Sequence, residues 1–120
     1  MITNIATVAI YVNDQQRAKK FWTEKAEFDV YAEHQMGPDA FWLEVGPKDA
    51  KSRLVIYPKE MMRGSENMRA SIVFECDNVM ETYEHMKTNG VEFKDAPQEM
   101  PWGTFTHFYD EDGNEFLLKG

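Results

Sequence analysis

The sequence predicts an α+β fold built from two copies of one β-α-β-β-β module. Three observations carry that expectation. Apolar alternation of period two runs twice into a capped segment of helical period. Each of these helices is followed by three further strand-like runs, separated by Gly, Pro, Asn and Asp. The halves also match at a constant interval: Ala6 and Ala70, Thr7 and Ser71, Val8 and Ile72, and Val12 and Cys76 all lie 64 positions apart. That interval is too long for a solenoid repeat and fits a fused pair of supersecondary units.

In the first module, Ile5 to Val12 alternates, with Ala6, Val8, Ile10 and Val12 apolar throughout and Thr7, Ala9 and Tyr11 on a mixed second face. Asn13-Asp14 supplies a helix cap, and Ala18, Phe21 and Trp22 make the apolar stripe of a helix over Asp14 to Lys25. Strands follow over Phe28 to Met36, Phe41 to Val45 and Arg53 to Tyr57, parted by turns at Gly37-Pro38-Asp39 and Gly46-Pro47-Lys48-Asp49. The second module repeats this with a strand over Arg69 to Cys76, an Asp77-Asn78 cap, and a helix carrying Val79, Tyr83 and Met86 that ends at Asn89-Gly90. Its three later strands are Val91 to Asp95, Thr104 to Tyr109 and Glu115 to Leu118, the last two joined by Asp110-Glu111-Asp112-Gly113-Asn114. The modules are therefore expected at 1–58 and 69–120 of a single domain, with 59–68 as the link.

Composition narrows the function classes. The chain of 120 residues is 42% hydrophobic, which suffices for a core and excludes intrinsic disorder. Thirteen Lys and Arg against 21 Asp and Glu leave a net charge of −8, which argues against nucleic acid or anionic membranes as partners. A neutral or cationic partner suits that balance better. Cys76 is the single cysteine, no signal-peptide pattern opens the chain, and no run reaches the length of a membrane span, so a cytoplasmic location is expected. Neither a Gly-rich phosphate loop nor a Gly-x-Ser-x-Gly elbow is present.

Ile5 to Asp14, Ala70 to Asn78, and Pro101 to Leu118, with its Pro-Trp-Gly and Asp-Glu-Asp-Gly-Asn pieces, resemble the vicinal oxygen chelate superfamily of glyoxalases, bleomycin-resistance proteins and extradiol dioxygenases. The Pro-Trp-Gly segment looks like the metal-free bleomycin-resistance branch. The resemblance covers essentially the whole chain. It implies a cup-shaped, partly open barrel that holds a small molecule, often beside a divalent metal, and two chains pairing as a homodimer. The family's metal ligands, commonly His and Glu, fall by this resemblance on Thr7, Val55, Ser71 and Leu117. Val and Leu have no lone pair to offer, and neutral hydroxyls are poor ligands, so neither a metal nor another cofactor is expected.

If those four positions face the cup, strand parity adds Ala9, Tyr11, Arg53, Tyr57, Val73, Glu75 and Glu115 to the same wall. Val8, Ile10, Leu54, Ile56, Ile72, Phe74, Phe116 and Leu118 then lie under the helices. The resemblance implies that Trp102 lines a groove and stacks on a planar ligand; the alternative is that it packs on its turn. His107 and His34 share parity with their strands' apolar residues, each either a packing residue or a hydrogen-bond donor to a ligand, while His85 lies on the polar side of its helix. Trp42 falls on an undecided face. Glu75 and Glu115 either attract a cation or are solvated at the rim, and Arg53 either clamps a carboxylate or pairs with one of them. Cys76, in register with Ile72 and Phe74, reads as a small core hydrophobe.

The expected ligand-binding set is thus Thr7, Ala9, Tyr11, Arg53, Val55, Tyr57, Ser71, Glu75, Trp102, His107, Glu115 and Leu117, with no catalytic residue assigned. The expected function is metal-independent sequestration of a small aromatic or amphipathic molecule. The alternative is a glyoxalase-like lyase or dioxygenase-type enzyme working through a non-standard site, with Glu75 or Glu115 and His107 as its acid and base.

Overall fold

The computed structural model describes residues 1–2, 5–61 and 70–120, which form two compact units, Met1–Ala70 and Ser71–Gly120. Each is a mixed sheet with one helix. In the first unit β1 (Thr7–Val12), β2 (Asp29–Gly37), β3 (Ala40–Gly46) and β4 (Arg53–Pro58) lie in the order β1-β4-β3-β2. Only β1 and β4 run parallel, because the helix carries the chain across the sheet between β1 and β2, and tight turns join the later strands. In the second unit β5 (Val73–Glu75), β6 (Glu92–Phe93), β8 (Gly103–Tyr109) and β9 (Glu115–Lys119) take the corresponding order, β5-β9-β8-β6. The 64-residue correspondence therefore extends to topology.

The helices start where the sequence places them. Asp14 caps α1 (Gln15–Lys20) by accepting from the Arg17 amide at 3.1 Å, and Asn78 caps α2 (Val79–Thr88) by accepting from the Glu81 amide at 3.1 Å. Their ends differ. α1 continues as a π-helical turn over Phe21–Lys25, closed by the Ala26 amide on the Phe21 carbonyl, and Glu27 then adopts a φ of 59°. α2 ends at Asn89, and Gly90, with a φ of 93°, takes the left-handed position without a Cβ penalty.

Four further departures have local causes. Between β6 and β8 the chain forms an additional short strand, β7 (Gln98–Met100), paired with β8 through Met100↔Gly103. Its polar Gln-Glu-Met sequence has no alternation to betray it, and the two-residue turn Pro101-Trp102 makes the hairpin. The strand expected over Arg69 to Cys76 is ordered as a ladder only at Val73–Glu75, which leaves Ser71 outside it. A bulge between Val30 and Ala32 breaks the parity of β2, so Val30 and His34 do not share a face as simple alternation implied. Lys59–Met61 forms a 3-10 turn, and the rest of the 59–68 link lies outside the described residues.

Both cores lie between sheet and helix. In the first unit Ile10, Val12, Leu43, Val45, Leu54 and Ile56 bury against Ala18, Phe21 and Trp22, and Trp22 sits 5.1 Å from Phe28. In the second, Phe74, Phe93, Phe108 and Phe116 form an aromatic cluster with ring centroids 5.4 to 5.9 Å apart, closed by Tyr83 of α2 at 4.7 Å from Phe93. Such pairs add about 0.5–1.5 kcal/mol each beyond the area they bury.

One polar group is built into the first core. The β3–β4 ladder stops after Glu44↔Val55 and Val45↔Leu54, and Pro58, further along β4, has no amide to extend it. Gln15 fills the gap: its Nε2 donates to the Phe41 carbonyl at 2.7 Å and the Ile56 carbonyl at 2.8 Å, and its Oε1 accepts from the Phe41 amide at 3.0 Å. In the second unit β8 and β9 pair continuously from Phe105↔Lys119 to Tyr109↔Glu115, and the position 64 residues after Gln15 is the buried, apolar Val79.

Candidate functional site

The helix-free face of each sheet carries the residues that strand parity groups together, with Ser71 and Trp102 outside the strands, and the register fixes which are neighbours. In the first unit Thr7↔Arg53, Ala9↔Val55 and Tyr11↔Tyr57 pair directly, so these six share one face. Pairing of Glu44 with Val55, and of Ala32 with Glu44 and His34 with Trp42, adds Glu44, Trp42, Ala32 and His34 to it. Trp42, whose face the sequence left open, is thereby assigned.

Three rings span the middle of this face. Tyr57 on β4 meets Tyr11 on β1 at 6.2 Å and Trp42 on β3 at 6.4 Å, both edge to face at 75° and 85°. All three are half-buried, so they present ring surface while being held by their neighbours. Val55 is fully buried, whereas Thr7 and Ala9 are exposed.

Beside the rings lies a polar assembly. Glu44, with a side chain only 16% exposed, accepts from Trp42 Nε1 at 2.7 Å on one carboxylate oxygen and from Arg53 at 3.4 Å on the other. The Arg53 guanidinium stands 4.1 Å over the Tyr31 ring. Tyr31 is fixed in turn, its hydroxyl donating to the Pro47 carbonyl and accepting from the Ala50 amide at 3.2 Å. Within its unit, the acid that Arg53 meets is Glu44. Alternation of Trp42 with Glu44 was visible in the sequence; what it could not show was the bulged β2 that brings Tyr31 under Arg53.

In the second unit Val73 and His107 both pair with Leu117, Glu75 pairs with Lys119, and Tyr109 pairs with Glu115. Glu75 and Glu115 each face a lysine, Lys119 at 3.8 Å and Lys94 at 3.4 Å, in exposed ion pairs of little energetic weight. His107 has Asp95 as its carboxylate neighbour: Nδ1 lies 3.5 Å from Oδ2, while the other oxygen accepts from the His107 amide at 3.2 Å and the Thr106 hydroxyl at 3.1 Å. Burial pushes the Asp95 pKa up, but these bonds outweigh it and hold the carboxyl below its ordinary value. No sequence pattern singles out Asp95, because it reaches His107 across the β6–β8 connection. Trp102, at the tip of the β7–β8 hairpin, is 74% exposed, and Ser71 is exposed before β5 begins. His85 lies exposed on α2, and Cys76 is half-buried with its Sγ 3.7 Å from the Lys119 carbonyl.

Comparison with known proteins agrees with this architecture. The model of the Glyoxalase/Bleomycin resistance protein/Dioxygenase superfamily matches residues 4–118. The chain belongs to that superfamily. A relative from Bacillus subtilis (strain 168), the uncharacterized protein YetH, is 67% identical over 99% of both chains. Among solved structures, UcmS2 superposes with a TM-score of 0.88 at 32% identity, covering 99% of this chain and 98% of its own. TnmS3, an antibiotic binding protein from Streptomyces sp. CB03234, does so with a TM-score of 0.82 at 33% identity, covering 98% and 95%.

The metal that the superfamily implies does not fit the residues at the positions resemblance assigns to it. Val55 and Leu117 end in methyl groups, and Thr7 and Ser71 offer only neutral hydroxyls. Among the described residues no three His, Cys, Asp or Glu side chains converge as a ligand set.

Proposed function

We propose that this protein binds and sequesters a small molecule with a planar aromatic portion, without a metal, as a member of the bleomycin-resistance-like branch. The observation that carries this reading is the row of Tyr11, Tyr57 and Trp42 across three adjacent strands, half-exposed on the sheet face that the helix leaves uncovered. Aromatic walls with a few placed polar groups are what small-molecule sites require. Similarity to an antibiotic binding protein supports the same reading. The remaining members of the expected set belong to the proposal as ligand contacts, Ala9 among them on the first unit, and Ser71, Glu75, Trp102, His107, Glu115 and Leu117 on the second. So do pairing of two chains, supported by the exposed apolar tip at Met100 and Trp102, and a cytoplasmic location, supported by the lone Cys76. The enzyme alternative has one supporting feature, the imidazole of His107 beside the anionic Asp95.

Calorimetric titration with 2-naphthol, in the presence and absence of EDTA, tests the reading. Saturable binding that is indifferent to EDTA and weakens about tenfold in Tyr57→Ala is expected, since losing the middle ring removes about 1.4 kcal/mol of contact. Absence of binding by any bicyclic aromatic, or binding that EDTA abolishes, overturns it.

A further inference from the structure

The polar assembly beside the rings bears on the charge of the ligand. We infer that the site selects planar aromatic molecules carrying an anionic oxygen, a carboxylate or phenolate, with Arg53 as the selecting residue; this rests on the binding reading above.

Glu44 is poorly placed to attract a cation. Both of its oxygens are already engaged, one by Trp42 and one by Arg53, and its side chain is 16% exposed. Arg53 is in the opposite condition. Its side chain is 36% exposed and it has five N–H donors in a rigid fork. Among the described residues, its one carboxylate contact is a long 3.4 Å bond from Nη1 to Glu44, and its enclosed Nε meets no acceptor. Stacking on Tyr31 holds the guanidinium plane in place. Beside aromatic rings, an oriented guanidinium whose Nη donors meet only that one long bond matches a ring bearing a carboxylate, because the planar fork binds that group with two parallel hydrogen bonds, and its charge favours a phenolate oxygen as well.

The overall charge of −8 points the other way, toward cations. Charges farther than about 8 Å are largely screened at physiological ionic strength, whereas a guanidinium in contact with its ligand is not. The local group therefore decides the preference.

Titration with three probes sharing one ring system, 2-naphthoate, 2-naphthol and 2-naphthylmethylammonium, tests this at neutral pH. The wild-type protein is expected to bind the carboxylate at least tenfold more tightly than the ammonium. Arg53→Met, which keeps an unbranched apolar side chain beside Tyr31 and removes the guanidinium, is expected to erase that difference by weakening 2-naphthoate by a larger factor than 2-naphthol. Arg53→Lys keeps the charge but loses the fork and is expected to fall between. If Arg53→Met does not fold, the wild-type ranking with Arg53→Lys still decides. Equal or tighter binding of the ammonium by the wild type overturns the inference and leaves aromatic binding standing. Failure of all three probes removes the binding reading, and the inference with it.

Discussion

Replacing Gln15 by leucine tests how the first unit is held together. The Gln15→Leu change would preserve side-chain volume while deleting both donors to the Phe41 and Ile56 carbonyls and the acceptor for the Phe41 amide. Gln15 is 7% exposed, so water does not readily replace these partners. Three hydrogen bonds, one buried and two partly buried, at about 1 kcal/mol each set the expected loss at about 3 kcal/mol, a large part of the roughly 5–15 kcal/mol that stabilises a typical domain. At roughly 4 °C per kcal/mol for a chain of this length, Tm should fall by about 12 °C. Urea unfolding followed by far-ultraviolet circular dichroism measures the change directly, with Val79→Leu, at the corresponding position of α2, as the comparison that removes no hydrogen bond. Since Gln15 bridges strands that carry Trp42 and Tyr57, tryptophan emission should shift as well. A loss under about 1 kcal/mol, the worth of a single such bond, with unchanged emission would show that the β3–β4 gap is closed by other means and refute the argument.

Two further outcomes concern the second unit. The lowered Asp95 pKa means that its contribution to stability is complete above its unfolded value of about 4 and is lost as pH falls through the lower folded value. Asp110 has the opposite sign: burial raises its pKa despite bonds from the Asn114 side chain and amide and from the Asp112 amide, so its contribution is complete below about 4 and is lost as pH rises through the folded value. Thermal unfolding followed from below to above the ordinary aspartate value of about 4 should therefore show Asp95→Asn losing ground to wild type as pH rises and Asp110→Asn gaining it; parallel curves would contradict both assignments. Thr106→Val, at a site 1% exposed, deletes the hydroxyl that reaches the Asp95 carbonyl at 2.9 Å and carboxylate at 3.1 Å. It should cost about 1 kcal/mol in urea unfolding and shift the Asp95 carboxyl resonance titration to higher pH, and an unmoved titration would exclude the hydroxyl as a determinant.

Local chemistry and period were legible without coordinates. Asp14 and Asn78 announced both helix starts, because a short acceptor before an apolar stripe satisfies the first free amides wherever it occurs. Alternation placed Thr7, Tyr11, Arg53 and Tyr57 on one face, since a strand's side chains change sides at every residue regardless of partners. What parity could not supply was which residues from different strands stand side by side. Trp42 became a neighbour of Tyr57, and Glu44 of Arg53, only through the β3–β4 register; Tyr31 came under Arg53 only through a bulge that shifts β2. Asp95 met His107 through the closure of β6 onto β8. Faces are set by backbone geometry repeated every two residues, and one strand suffices to read them. Neighbours across strands depend on register, which turns, bulges, the proline in β4 and the bridging Gln15 amide decide together, and no single segment contains that information.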